Sequence, residues 1–445
     1  MSDLPAISLT DVDRVRVLFP DHLGLARGKY LPAHLAAKGT GHCATLFGLG
    51  YDRSMIPAPG SYLLEGLIDV HSLPDMTTLR RGWEDDRTAV AVSDLSMHGD
   101  AYPYSARHVL GEAIAAWEAM GLTPKIGIEL EGYLLESDGD GGWQRYENPR
   151  AMVYGTGISS DPDGVLDDIM TMAEMVGLPV ESINAEFDES QYEMTLEYRD
   201  AMQAADEAFL FRVMAREIAL AHGLDLTFLG KPFPDISGTG VHINVSFVDA
   251  HGNNLLLDEA ADDGLSAIAH QAIAGMLAHH QALVAITAPT VNAYRRLQPA
   301  QLSGYWANWG NDHRCVAVRV PIDRGHGTRL ESRVPDGACN IHLTVAAVLT
   351  AARLGVVREL DCPAPETGDG FEEVNTDVCA AANLGEALGQ LEADTAFGDA
   401  LGRPVVDNFL ANKAAEWERY LEAESAFDGE APPTAWELTE YLMYH

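Results

Sequence analysis

Basic residues are scarce in this chain. Only 29 Lys and Arg stand against 67 Asp and Glu, leaving a formal net charge of −38 at pH 7. A surface of that sign repels nucleic-acid phosphates and anionic lipid, so neither is expected as a partner. The acids are spread along the chain and form no acidic tail, a pattern that also serves solubility. Cysteine is sparse too: the 5 present are Cys43, Cys315, Cys339, Cys362 and Cys379, with no C-x-x-C spacing. An odd, scattered set argues against a disulfide framework and against a zinc knuckle. No apolar run reaches the length of a membrane span. The opening MSDLPAISLT has neither the basic nor the apolar region of a secretory leader. A cytoplasmic location is expected. Two motifs are also missing. No G-x-x-x-x-G-K-[ST] occurs, and no G-x-G-x-x-G follows a strand to open a helix. Neither a P-loop nor a dinucleotide fingerprint is therefore available.

What is present is a long globular chain. Its 445 residues are 47% hydrophobic and 22% charged, enough for two domains and a large core. Val15–Phe19 and Thr88–Leu95 read as strands, and Ser105–Met120 has helical spacing. The boundary is set before that helix, giving units 1–104 and 105–445. Residues 41–66 are rich in Gly, Pro and Ser without periodicity, and read as a long loop carrying Asp52. Helices are expected from Asp163 to Val176 with Gly177 as C-cap, from Met202 to His222, and from Leu265 to about Ala288. Another is expected over the apolar ACNIHLTVAAVLTAARLGV. Residues 357–445 read as helices and loops with no assignable chemistry.

The chemistry lies on alternating strands. In KIGIELEGYLLE, Ile126, Ile128 and Leu130 take one face and Gly127, Glu129 and Glu131 the other. The two Glu side chains would project together about 7 Å apart. Adjacent carboxylates repel unless a cation lies between them or one is protonated. Exposed Glu on a water-facing sheet is the plain alternative. Against it, later strands repeat the device. Glu186 and Glu193 are separated by an odd number of residues, so a turn at 188–190 is needed to bring them to one side. In VHINVSF, His242, Asn244 and Ser246 share a face; Arg319 lies on CVAVRVP, and Arg329, Glu331 and Arg333 share one in TRLESRV. Together with Arg296 and Arg314 this makes five carboxylates, one imidazole and a set of arginines. Such oxygen-rich ligands suit Mg²⁺ or Mn²⁺ better than zinc. Arginines suit phosphate or carboxylate, and the combination is the equipment of phosphoryl transfer.

At this point the chain resembles the glutamine synthetase family over nearly its whole length. The resemblance rests on YDRSMI (51–56), PDMTTL (74–79), GIELEGYLLE (127–136), AEFDESQYE (185–193), GKPF with GTGVHINVS (238–246), PTVNAYRRL (289–297), the WG…HR…VRVP run (309–321) and RLESRVPDGACN (329–340). It implies an α+β protein, with an N-terminal β-grasp-like domain and a catalytic domain built on a curved antiparallel sheet. It implies ATP-dependent ligation of glutamate to an amine through γ-glutamyl phosphate, in a ring oligomer, a dodecamer, with two or three Mg²⁺ or Mn²⁺ per site. By position, Glu131, Glu186 and Glu193 would hold one cation, and Glu129, His242 and Glu331 the other. Arg314, Arg319 and Arg329, with Asn244 and Ser246, would face the nucleotide. Arg296, Arg333 and Gly238 would face the amino acid, with Arg314 and Arg333 taking part in catalysis. Asp52 would reach the amine site of an adjacent subunit.

The departures bear on substrate. Asn244 replaces the second His of the family's H-x-H motif, and Asn340, Ile341 and His342 replace its N-P-Y. Leu302 stands where ammonia-using members carry a flap glutamate, and no adenylylation loop matches. Three functions follow as expectations. The first is a γ-glutamyl ligase using an amine other than ammonia. The others are an ordinary glutamine synthetase and a non-catalytic structural or binding relative.

Overall fold

The computed structural model describes residues 7–371 and 373–445. The opening residues 1–6, read above for a leader, lie outside the described residues. Two sheets account for the strands. The first is built wholly from residues 14–101. Its hairpin Arg14–Pro20 and Ala26–Pro32 is antiparallel, while Arg14–Pro20 runs parallel to Thr88–Met97. That pairing suits the β-grasp-like expectation. Asp21 fixes the hairpin turn: its Oδ1 accepts from the backbone N–H of Leu23 at 2.9 Å and Leu25 at 3.0 Å. Gly24 in that turn has φ 81, and a Cβ there would come within 2.9 Å of Asn340 Cα. Only glycine fits, for both reasons.

The second sheet holds nine strands. Its main path runs Val180–Ala185, Gln191–Asp200, Thr123–Ser137, Val241–Val248, Leu330–Ser332, Val318–Val320 and Trp309–Asn311. The pairings are antiparallel except the last, which is parallel. Alternation does what the sequence implied: Ile126, Ile128 and Leu130 are buried with Val241, Ile243, Val245 and Phe247. Helices Ala106–Glu118, Ala201–Ala221 and Ile341–Val357 pack on one another and carry that apolar side. Trp117 stacks on Phe247 with ring centroids 4.0 Å apart and donates its indole N–H to Leu349 O at 2.9 Å. One side chain therefore joins two helices to the sheet.

A buried ion cluster ties the first sheet to these helices. The Arg107 guanidinium pairs with Asp206 at 2.9 Å, with Asp75 at 2.7 Å, and with Asp94. Asp206 also bonds His342 Nε2 at 2.8 Å.

Several elements differ from the sequence reading. The Leu265–Ala288 helix is two, Ala267–Ala278 and His280–Thr287, broken at His279, whose Nδ1 meets Asp394 Oδ2 at 2.5 Å. Apolar periodicity continues through such a break and cannot reveal it. Part of the 41–66 loop is ordered as strand Thr40–Cys43 and the 3-10 turn Ala44–Gly48. The strand Trp143–Arg145 was missed; it closes a hairpin with Thr123–Ser137 through the Gly-rich turn. Among the described residues no helix is long and apolar enough to cross a membrane. Trp117→Ala is expected to destabilise the fold by about 3–5 kcal/mol, because a large stacked side chain leaves a cavity. Urea denaturation of wild type and variant checks this; a loss under 1 kcal/mol would contradict the role given to Trp117.

Candidate active site

Cross-strand register assembles the acidic face. Glu131 lies directly opposite Glu193, and Glu129 directly opposite His242. One strand further on, Glu331 lies opposite both Asn244 and Arg319. Glu186 follows the end of Val180–Ala185, and a tight turn through Ser190, at φ 63, returns the chain so that both Glu186 and Glu193 reach the cluster. The turn demanded by their odd separation is there.

Two sets of ligand atoms result, each within 4.8 Å of one another: Glu131, Glu186 and Glu193, and Glu129, Glu193 and His242. The first is the set expected. The second shares Glu129 and His242 with the other expected set and adds Glu193. The Glu331 carboxylate is drawn to Arg319 Nη1 at 2.9 Å and to Arg333, and stands 3.7 Å from His242 Nδ1. Further contacts fix the ligands: Glu131 Oε2 accepts the Gly240 N–H at 2.7 Å, and Glu129 Oε2 lies 3.0 Å from His242 Nδ1.

The charges interact strongly. Burial pushes the Glu193 carboxyl up to about 7, with Glu129, Glu131 and Glu186 adding to the effect against His242. Glu186 is raised as well, first by burial and then by Glu131. Burial also acts to raise Glu129, yet His242, Asn244 and Arg333 hold it below its ordinary range. Burial and Arg333 work to lower the His242 imidazole, and the carboxylates outweigh them and raise it. One carboxyl whose titration is pushed into the neutral range, amid oxygen donors and one imidazole, is what a hard divalent cation would relieve. The residues fit Mg²⁺ or Mn²⁺.

The arginines surround the acids. Arg296 is buried, which lowers its pKa, and donates to Val334 O at 2.9 Å and Arg333 O at 3.1 Å. A Cβ on Gly238 would meet Arg296 Cγ at 2.6 Å, and one on Gly240 would meet its Nη2 at 2.5 Å. The glycines of the G-x-G loop therefore admit this guanidinium. Arg333 donates to Arg314 O at 3.1 Å; the Arg314 side chain is exposed. Arg319 bridges Glu331 and Asp312, and Arg329 reaches Asn244 Oδ1 at 3.3 Å.

Two cavities open in this part of the chain, and the first has Glu129 of the cluster in its lining. One of about 320 Å³ is lined by Gly127, Glu129, Asn244, Ser246 and Arg329, together with Tyr198 and His326. Tyr198 and His326 escaped sequence reading. Tyr198 lies in a register shift between Leu196 and Arg199, where alternation fails, and His326 lies in the turn Gly325–Gly327. The other, of about 580 Å³, is lined by Phe187, Asp188, Ser237, Gln298, Pro299 and Gln301, among others. Leu302 is 53% exposed. Asp52 is not part of the cluster in this chain. Its carboxylate bonds Ser54 and pairs with Arg419 at 3.2 Å, while Tyr51 anchors the loop on His445. The C-terminal segment, silent in sequence, also locks Arg295 through Glu437 at 2.5 Å, next to Arg296.

Comparison with known proteins gives the family. Residues 103–441 match the family described as glutamine synthetase, catalytic domain. The glutamine synthetase of Halobacterium salinarum is 30% identical over 99% of this chain and 95% of its own length. That of Methanococcus maripaludis is 31% identical, over 98% of this chain and 97% of its own. Among solved structures, one described as a GmaS/ADP complex superposes with a TM-score of 0.83 at 28% identity, covering 100% of both chains. A novel glutamine synthase homolog gives 0.80 at 26% identity over 97% of this chain and 98% of its own. The chain belongs to the glutamine synthetase family, the ATP-dependent ligases that form carbon–nitrogen bonds.

Proposed function

We propose that the enzyme joins glutamate to an amine other than ammonia, forming a γ-glutamyl amide through γ-glutamyl phosphate. The observation that carries this reading is Leu302, exposed at the flap position where ammonia-using members hold a glutamate. No other Glu lies between Arg296 and Arg314 to replace it. An ammonium ion is small and charged, and a carboxylate attracts it and takes its proton. Leu302 does neither, whereas an apolar wall favours a substrate carrying carbon, by about 0.8 kcal/mol per buried CH₂.

In this reading, a γ-carboxylate oxygen of glutamate attacks the γ-phosphorus of ATP and ADP leaves. The amine nitrogen then attacks the acyl carbon and phosphate leaves. Phosphorylation is needed because a carboxylate is a poor electrophile. Glu131, Glu186 and Glu193 would hold one divalent cation, and Glu129 and His242, with Glu193 or Glu331, would hold a second. When bound, such cations neutralise the phosphate oxygens and polarise the transferred group. Arg314, Arg319 and Arg329, with Asn244 and Ser246, bind the nucleotide side. Arg296 and Arg333, across Gly238, orient the amino acid, and Arg314 and Arg333 offset charge on the phosphoryl group as it moves. Asp52, supplied by the adjacent subunit, takes the amine's proton. The same reading divides the chain at 104/105 and sets the enzyme in the cytoplasm.

Ordinary glutamine synthetase is the second reading, favoured by the names of the curated relatives at about 30% identity. A non-catalytic role is opposed by the six ligand positions, all filled by carboxylate or imidazole. The two enzymatic readings separate on kcat/KM for ammonia against a panel of primary amines at saturating glutamate. An alkyl, aryl or hydroxyalkyl amine is expected to exceed ammonia by at least tenfold; ammonia leading the panel would restore the ordinary synthetase.

Because Asp52 makes its contacts away from the acidic cluster of its own chain, a complete site needs a neighbour. The family resemblance implies a ring, a dodecamer, and that size is expected in light scattering at assay concentration. A fully active monomer would contradict it.

A further inference from the structure

Asn244 stands where a relative with the H-x-H motif carries histidine, and its surroundings give it a role of its own. Its strand lies between the strand of Glu129 and the strand following Arg329. The residue directly across from it on one side is Gly127, which has no side chain to block a diagonal reach. Over that gap Asn244 Nδ2 donates to Glu129 Oε1 at 2.8 Å. On the other side its Oδ1 accepts from Arg329 Nε at 3.3 Å. The orientation is forced by chemistry. A guanidinium only donates and an ionised carboxylate only accepts, so the amide must turn its oxygen to Arg329 and its nitrogen to Glu129. The residue is 8% exposed and lines the cavity of about 320 Å³, so neither bond is a loose surface contact. With His242 on Glu129 Oε2, both oxygens of that carboxylate have a partner.

We propose that Asn244 is a positioning residue that orients Glu129 for a divalent cation and Arg329 for the nucleotide at the same time. This rests on the assignment of Glu129 as a cation ligand above. An amide suits the task because it offers one donor and one acceptor at every pH, whereas aspartate cannot donate and leucine can do neither.

The test separates the two halves of the bridge. Mn²⁺ is titrated without nucleotide by electron paramagnetic resonance, and ADP is titrated without cation by calorimetry, on the full-length chain. Asn244→Ala is expected to weaken Mn²⁺ binding about tenfold, in the range for loss of a partner to a metal ligand. It is expected to weaken ADP binding about threefold to tenfold, as for one lost hydrogen bond. Asn244→Gln keeps both groups and is expected to recover part of each loss. A loss confined to ADP would make Asn244 a nucleotide contact only and overturn the proposal, as would unchanged binding of both. If Asn244→Ala does not fold, Asn244→Ser is read in the same two titrations against the same outcomes. Wild type that binds no Mn²⁺ would remove the cation assignment itself and the proposal with it; normal wild-type binding matched by the variant would overturn the proposal alone.

Discussion

Repulsion between carboxylates organises this molecule. Glu129, Glu131, Glu186 and Glu193 converge on one sheet face, where burial and mutual proximity push Glu193 up to about 7. A fold would not gather such charges for stability, since each desolvated carboxylate costs free energy unless it is paired or protonated. The packing beneath keeps the side chains from separating. The apolar residues alternating with the acids lock the register, and a one-residue slip would turn every Glu into the core. Trp117 on Phe247 and the helices behind the sheet hold that register.

Function follows from what the strained cluster can accept. Oxygen donors with one imidazole take hard divalent cations, and the arginines around them take phosphate and carboxylate groups. Arg319 and Arg333 converge on Glu331, which stands beside His242. The G-x-G loop adds a steric condition, because a Cβ at 238 would meet the Arg296 stem and one at 240 its guanidinium.

Much of this was legible because alternation reports side-chain direction without any knowledge of tertiary contacts. Glu129 and Glu131, His242 and Asn244, and the Arg329–Glu331–Arg333 trio all lie where period two put them. Alternation could not say which carboxylates come within ligand distance of one another, as Glu193 does with Glu129 and His242. It also failed where strands deform: Tyr198 sits in a register shift, and His326 in a glycine turn. The C-terminal segment was silent because its work is done by long-range pairs. Arg295 with Glu437 and Asp52 with Arg419 join residues far apart in the chain, and no local pattern marks them.

The central claim is that a divalent cation replaces a proton within the acidic cluster. A carboxyl raised in the folded state binds a proton that the unfolded chain has already lost between pH 4.5 and about 7. That proton must leave when the cation enters. Calorimetric titration of Mn²⁺ in buffers of different ionisation enthalpy counts it directly. The account predicts release of about one proton per cluster at pH 6.5, declining toward zero above pH 8.5 and largely abolished in Glu193→Gln. Cation binding with no proton release at pH 6.5, or release undiminished in Glu193→Gln, would contradict it.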